Sequence, residues 1–232
     1  MSLTADKYIT AAAELLQDTS YKTWSIEELV RWLNDALDAI NVVRPDAFSI
    51  VKNIDCIAGS KQTLSSTDVR LLDLYRNMGS TGMTPGRAIR GPVNREALDA
   101  QDPTWTTTGA VSFVRQYLYD VTVPTVFWVV PPLTAATKIE GAVVVEPTWI
   151  ADPSGADDDE KLTALASVTV VMSRRYKPAA IEWMVFRAFE RDSERSPNWQ
   201  KAARHLTIFF EMLQRKMNVD LQIDPRVVAE MN

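Results

Sequence analysis

Histidine and cysteine, two side chains often used in acid–base and nucleophilic chemistry, are scarce in this sequence and lie far apart. Among 232 residues there is one histidine, His205, and one cysteine, Cys56. A histidine acts as a general base only when a second group orients it, and the sequence reveals no Ser, Cys or acid partner for His205. Cys56 lies in a predicted strand, where a buried and unreactive thiol is expected. One thiol also excludes an internal disulfide and a cysteine-clustered zinc site, so we expect no catalytic residue, no cofactor and no metal site.

Two further segments have the composition of ligand sites but lack the required spacing. Residues 157–160 are Asp-Asp-Asp-Glu, without the alternating ligands and fixed glycine of an EF-hand loop. The segment 79–86 is rich in glycine but is not followed by the Gly-Lys-Ser/Thr of a phosphate-binding loop. We therefore interpret the first as a solvated linker and the second as a flexible contact loop.

Two groups of arginines are candidates for contact with an anion. Arg87 and Arg90 flank the glycine-rich loop, and Arg174 and Arg175 are adjacent in the last third of the chain. Either group can contact DNA phosphates in a channel or an acidic partner surface, and the alternative is a solvated surface with local ion pairs. Lys and Arg number 25 and Asp and Glu 30, a net charge of -5, so bulk attraction to nucleic acid is not expected.

Large apolar side chains near turns or at the chain end are candidates for a partner interface. Of seven tryptophans, Trp105 and Trp149 lie beside turn residues and are the best interface anchors. The tail is predicted to be an extended arm that docks on a neighbour, or one that folds back on its own helices. Its candidate contact residues are Val219, Leu221, Ile223 and Val227.

The first part of the chain, residues 1–45, is predicted to be helical. An Ala-rich segment at 3–17 has apolar residues on one face. Ser25 and Glu28 have the spacing of a capping box at the start of a second helix, and apolar residues recur after them at three- and four-residue intervals. Pro45 should end this helix, because proline disfavours the α conformation of the residue before it.

The middle part, residues 46–150, is predicted to be rich in strands. Strand patterns occupy 48–57, 111–120, 125–130 and 139–146, with prolines between the last three. Their short separations favour antiparallel hairpins. The segment 69–77 fits a helix or a strand equally, and Asn94 can cap a short helix.

The last part begins with an acidic linker at 151–160 and continues as a helix pair at 161–217 and an extended arm at 218–232. Pro178 and the Ser196-Pro197 dipeptide suit the first turns of the two helices. Helices at both ends with strands between them predict an α+β fold. The terminal segments would form a helical bundle with an inserted antiparallel β-rich module.

No secretion signal and no apolar segment long enough to span a bilayer are evident. We therefore expect synthesis in a cytoplasm and no membrane partner.

The order of elements and several short segments resemble a known family. These segments are GPVNREAL at 91–98, DPTW at 102–105, VRQYLYD at 114–120, FWVVPP at 127–132 and IEGAVVVEP at 139–147. Residues 176–192 and 198–210 are similar to the paired C-terminal helices of the same family. The family is the head-to-tail adaptors of tailed bacteriophages, and the resemblance within it is to the tail tubular protein A type of short-tailed phages.

The resemblance implies a structural protein of the virion that lies at the head–tail junction. Members form a ring of twelve subunits under the portal protein, offer a docking surface to the tail nozzle or tail fibres, and extend the channel through which double-stranded DNA passes without sequence specificity. A head-to-tail interface closes such a ring. Two alternatives remain open at this point: another neck or tail-completion protein of a tailed phage, and a cytoplasmic ligand-binding or enzymatic domain.

Overall fold

The computed structural model describes residues 3–107, 109–192 and 198–223. The chain forms two compact units. One, the helical unit, consists of residues 1–47 and 147–232, and the other, the β unit, consists of residues 48–146. Helices and antiparallel sheets together confirm the predicted α+β fold.

The described elements are numbered in chain order. The helices are α1 (Asp6–Leu16), α2 (Ile26–Val43), α3 (Arg95–Gln101), α4 (Asp158–Ala166), α5 (Lys177–Arg191) and α6 (Asn198–Ile223). The strands are β1 (Leu3–Thr4), β2 (Ser49–Cys56), β3 (Gly59–Thr63), β4 (Asp68–Gly79), β5 (Gln116–Tyr119), β6 (Val126–Leu133), β7 (Thr137–Val145) and β8 (Thr169–Val170). Short 3₁₀ turns lie at Pro45–Phe48 and Arg174–Tyr176.

Helix α2 begins and ends where the sequence predicts. The Ser25 side chain accepts a hydrogen bond from the Glu28 amide at 3.3 Å, and the Glu28 carboxylate accepts one from the Ser25 amide at 3.3 Å. This reciprocal capping box satisfies two amides that have no partner within the helix. The helix ends at Val43, two residues before Pro45. Its predicted apolar face is buried and consists of Ile26, Leu29, Leu33, Leu37 and Ile40.

Helices α5 and α6 pack against each other as a helix pair. The predicted bounds of 161–217 also take in most of α4, the strand β8 and the 3₁₀ turn before α5. Pro178 occupies the first turn of α5, while the predicted start at Ser196-Pro197 lies outside the described residues. Helix α6 continues to Ile223, so the predicted extended arm is wrong for 218–223. The alternation of Val219, Leu221 and Ile223 suggested a strand, but the segment from 198 to 223 contains no Gly or Pro to stop a helix.

The acidic segment 157–160 is the start of a helix, not part of a linker. The Asp157 side chain accepts a hydrogen bond from the Glu160 amide at 2.9 Å and caps α4. Carboxylates near a helix N-terminus are stabilised by the unpaired amides and the helix dipole. Composition alone suggested mobility, but the same residues favour a helix start. We call residues 157–160 the acidic turn.

A buried arginine connects the end of α2 with α5 and α6. Arg44 is 8% exposed. Its guanidinium group donates two hydrogen bonds of 2.8 Å to the Asp46 carboxylate and one of 3.3 Å to the Leu213 carbonyl. The Tyr176 hydroxyl donates to the same carboxylate at 2.7 Å. A buried charge needs such partners to offset its lost hydration, so these four residues fix where the helices meet.

Asn34 holds the segment that returns from the β unit against α2. Its side-chain amide donates to the Ile150 carbonyl at 2.9 Å and accepts from the Ile150 amide at 3.0 Å. Both residues are buried. The asparagine therefore pairs with the backbone as a neighbouring strand would, and satisfies polar groups that water does not reach.

The β unit contains two three-stranded antiparallel sheets, with strand orders β2-β7-β4 and β3-β6-β5. The strand patterns at 111–120 and 125–130 form the predicted hairpin, which is β5–β6. The pattern at 139–146 was expected to continue this hairpin, but it is β7 and lies in the centre of the other sheet. Its residues 141–144 are buried consecutively, which fits a strand with neighbours on both sides.

Two further strand boundaries differ from expectation. The ambiguous segment 69–77 belongs to β4, whose pairing with β7 shifts register four times along its length. Pro131 and Pro132 were expected to end a strand but lie inside β6. They fall where β6 itself is bulged, because residues 129–132 face only Ser60 of β3 between the pairs Lys61–Trp128 and Gly59–Leu133. No regular ladder with β3 therefore needs their missing amides.

One apolar core lies in the β unit and takes side chains from both sheets. Its buried members are Ile54, Cys56, Leu64, Leu71, Leu74, Ile89, Val114, Tyr117, Phe127, Val129, Leu133, Ile139 and Val143.

Replacing Asp46 with alanine should lower the free energy of unfolding by about 2 kcal/mol. The value lies between the effect of breaking a buried pair and that of an exposed pair, because Arg44 is buried while Asp46 is half exposed. The matched control is Asp152→Ala, which breaks the exposed pair with Arg31 and should cost less than about 1 kcal/mol. Urea unfolding of both variants measures the difference, and equal losses would contradict the role of Arg44.

The same carboxylate should make stability depend on pH. Burial acts to raise the pKa of Asp46, but hydrogen bonds from Arg44 and Tyr176 and the Arg44 charge outweigh it and hold the pKa below its ordinary value. Its contribution is therefore complete above the unfolded pKa of about 3.9 and is lost as the pH falls through the lower folded value. The stability difference between wild type and Asp46→Ala should shrink over that acidic range.

Candidate interaction surfaces

Three arginines line one cleft of about 720 Å³ in the β unit. Arg87 and Arg90 were predicted as candidate contacts, and the structure brings them together with Arg115. All three are exposed. Arg115 was missed because it lies inside a segment interpreted as a strand, where an isolated charge is usually a solvated side chain. We call this site the arginine cleft.

A buried asparagine positions two of the segments that carry these arginines. Asn77, in β4, is 6% exposed. Its side-chain amide donates to the carbonyls of Arg87 at 2.9 Å and Val114 at 2.8 Å, and its oxygen accepts from the Val114 amide at 2.7 Å. One side chain therefore fixes the end of the glycine-rich loop next to the segment that precedes Arg115.

Backbone pairing then places Arg90 beside Arg115. The Arg90 amide donates to the Arg115 carbonyl at 2.9 Å, and the Tyr117 amide donates to the Arg90 carbonyl at 3.0 Å. The next residue is Gly91, with φ of +152°. A Cβ at this position would lie 2.7 Å from the Tyr117 ring, so only glycine permits this close approach of the two segments.

Phe113 lies within cation–π distance of two of the guanidinium groups. The Arg87 guanidinium carbon lies 4.9 Å from the Phe113 ring centroid, and that of Arg115 lies 5.6 Å from it. A cation–π contact attracts a guanidinium group to an aromatic ring without neutralising its positive charge. Asp102 also lines the cleft, and its carboxylate accepts hydrogen bonds from Thr104.

The charge of the arginine cleft is not neutralised within the described part of the chain. Arg87, Arg90 and Arg115 form no ion pair with any described residue, and Asp102 contributes one negative charge. The cleft therefore carries an excess of positive charge and can bind carboxylate or phosphate groups through charge-assisted hydrogen bonds.

Trp105 is buried in a second, smaller apolar cluster of the β unit and is not a surface anchor. It is 3% exposed and packs with Leu98, Leu118 and Val130. Its indole N–H donates to Asp99 at 2.7 Å. The turn residues around it suggested exposure, but the hydrogen bond to α3 allows the ring to be buried without an unpaired donor.

Trp149, the other tryptophan predicted as an interface residue, is exposed. It is 66% exposed and lines a cavity of about 540 Å³ on the helical unit. The Asn34–Ile150 hydrogen bonds fix the adjacent residue. Two ion pairs border the cavity and join Arg31 to Asp152 at 3.1 Å and Arg187 to Asp35 at 3.4 Å. A large ring on a fixed backbone, surrounded by polar groups, has the usual arrangement of an interface anchor.

The remaining candidate residues lie in the helical unit. Arg174 and Arg175 are exposed in the 3₁₀ turn before α5, and Arg175 lines a smaller cavity of about 290 Å³ with Arg215 and Met212. The two predicted arginine groups thus belong to different units. Val227 lies outside the described residues.

The single histidine has an acid partner that the sequence did not reveal. His205 Nδ1 lies 2.6 Å from the Glu182 carboxylate, and its ring stacks on Phe189. Glu182 and Phe189 are in α5 and His205 is in α6, so this contact joins the helix pair. Within the described residues there is no group of three or more side chains that could hold a metal ion.

The cysteine is buried in β2, in agreement with the sequence interpretation. Cys56 is 2% exposed. Burial, with a smaller effect of the neighbouring Asp55 charge, raises the pKa of the thiol to about 12. The nucleophilic thiolate is therefore scarce at neutral pH.

A comparison with known families identifies the class of protein. The sequence matches the family model described as SU10 adaptor protein over residues 3–229. The chain belongs to this family, which gives it a structural role as a phage adaptor. No curated protein matches the sequence significantly. The match confirms the predicted resemblance to phage adaptors, while the likeness to the tail tubular protein A type stays a prediction. Among the helices described, none is both long and apolar enough to cross a membrane.

Replacing Asn77 with alanine should destabilise the β unit by about 3 kcal/mol. The change leaves the amide and the carbonyl of Val114 without their buried partner, and each such group costs about 1–3 kcal/mol. The Arg87 carbonyl keeps its hydrogen bond from the Asn77 backbone amide at 3.0 Å. Asn53→Ala is the matched control, because Asn53 also holds the glycine-rich loop, through the Gly82 carbonyl, but is exposed. Thermal unfolding of both variants tests this, and similar losses would contradict the central role of Asn77.

Cys56 should react with a thiol reagent only when the protein unfolds. At pH 8 the native protein should show almost no labelling by a disulfide reagent, and full labelling should appear in denaturant. Rapid labelling of the native protein would contradict the burial of β2.

Proposed function

We propose that this chain is a subunit of a ring at the head–tail junction of a tailed phage, where it joins the portal protein to the tail and extends the DNA channel. The observation that carries the proposal is the adaptor-family match over residues 3–229, nearly the whole chain. A ring of twelve subunits, as in the tail tubular protein A type, is the finer form of this proposal.

The two compact units suit a protein that contacts several neighbours. Each unit presents a surface of its own, the arginine cleft in the β unit and the Trp149 cavity in the helical unit. Surfaces that differ in charge and shape favour different partners. We assign the Trp149 cavity to contact with a virion protein, either the portal or the tail nozzle and fibres.

The charge distribution is compatible with passage of DNA without tight binding. The net charge is -5, so most of the surface does not attract phosphates. Arg174 and Arg175 are exposed and are the proposed contacts with passing double-stranded DNA or a partner surface. Such contacts would be independent of sequence, because phosphates carry no base information.

The experiment that tests the proposal is location of the protein in the particle. An antibody raised against the purified chain, detected with gold, should label the head–tail junction of phage particles. Intact particles and particles with opened capsids are compared, and the control is antiserum depleted with the purified chain. Label confined to the junction would support the proposal. A protein that is abundant in infected cells but gives no label on opened particles would contradict it.

A further inference from the structure

We propose that the arginine cleft binds the acidic turn, residues 157–160, of a second copy of this chain. The inference deepens the proposed ring and rests on it, because it names the charged groups that join neighbouring subunits. The cleft carries three exposed guanidinium groups and one carboxylate. A ligand rich in carboxylates is the chemical complement of such a site.

The shape of the cleft favours a peptide over duplex DNA. The site is concave and encloses about 720 Å³ between Phe113, Arg87 and Arg115, a volume that suits a few side chains. A duplex presents its phosphates along a convex surface, and Asp102 at the cleft would repel them. Single carboxylates on the side chains of a peptide can enter a concave site of this size one at a time.

The acidic turn has carboxylates available for this contact. Asp157 and Glu160 accept hydrogen bonds from the backbone amides that start α4. Asp158 is 3.9 Å from Lys161, and the Asp159 side chain is exposed and forms no ion pair with any described residue. Binding through Asp158 and Asp159 would leave the helix cap intact. The two negative charges of Asp158 and Asp159 also balance the excess of positive charge in the cleft, where three arginines face one aspartate.

The contact would repeat from one subunit to the next. The cleft belongs to the β unit and the acidic turn to the helical unit, so the two patches are different surfaces of the same chain. Contacts of this kind are head-to-tail, and they generate a closed ring or an open filament. Opposite charges on the two patches would also fix which surfaces meet.

A charge-swap experiment on the full chain tests the proposal. One variant reverses the cleft with Arg87→Glu and Arg115→Glu, and a second reverses the turn with Asp158→Lys and Asp159→Lys. Self-association is measured by sedimentation velocity over a concentration series at about 0.05 M salt, where charge pairs are weakly screened. Each variant alone should associate at least tenfold more weakly than wild type. An equimolar mixture should recover association, because each reversed patch then meets its complement.

The matched control changes the same charge elsewhere in the β unit. Lys61→Glu with Arg95→Glu alters the net charge equally and removes a similar cation–π contact, since Arg95 lies 5.4 Å from the Trp128 ring centroid. Neither residue lines the cleft, so association should be unchanged. Circular dichroism and thermal unfolding of every variant separate loss of fold from loss of binding.

Three results would overturn the proposal. They are a wild type that stays monomeric throughout the concentration series, a cleft variant that still associates, and a mixture of the two variants that recovers no association.

A fluorescent DNA duplex is the competing probe. If the cleft variant loses DNA binding that the control keeps, while self-association is unchanged, the cleft is a phosphate site and the proposal fails. Gold label at the head–tail junction would still support the adaptor role in that case, so the two proposals can fail separately.

Discussion

The helical unit depends on the need to satisfy one buried positive charge. Arg44 lies at the end of α2, just before the chain enters the β unit. Its guanidinium group bonds to Asp46 and to the Leu213 carbonyl, and it lies 5.8 Å from the Tyr176 ring centroid, so its partners include residues far along the chain. A guanidinium group without water must keep these partners, so the helices from the two ends of the sequence have one arrangement. Asn34 does the same for the returning segment through Ile150. The two segments of the helical unit that flank the insertion are therefore each fixed by polar contacts within that unit.

Each of the two units contains a buried asparagine that fixes a backbone segment beside a candidate surface. Asn34 and Asn77 are buried amides that bond to backbone groups of another segment, and each is the residue that fixes a candidate surface. Asn34 fixes the chain beside Trp149, and Asn77 fixes the loops that carry Arg87 and Arg115. Because a side-chain amide both donates and accepts hydrogen bonds, one asparagine can bond to both the N–H and the C=O group of a backbone residue. Rigid support of this kind gives an exposed side chain a defined position at little entropic cost on binding.

Features set by local chemistry could be predicted from the sequence, and features set by distant contacts could not. The capping box at Ser25, the cap at Asn94 and the apolar face of α2 depend on residues a few positions apart. The central position of β7 depends on β2 and β4, which are distant in sequence. The burial of Trp105 depends on packing against Leu118 and Val130, which come later in the chain. The arginine cleft depends on Asn77, a polar residue in a segment that fitted helix and strand equally. The adaptor family was predicted from the order of elements and from several short segments together, because no single residue indicates it.

The irregular pairing of β4 protects one edge of its sheet from other strands. This strand lies at the edge of the sheet, and its register shifts four times against β7. Its outer side also forms backbone hydrogen bonds with Gly86, Arg87 and Ile89. Repeated bulges increase twist and break the even row of amides and carbonyls that another strand would need. The strand is therefore a poor template for cross-β pairing with a second copy of the chain, whereas β2, at the opposite edge, pairs with β7 in unbroken register.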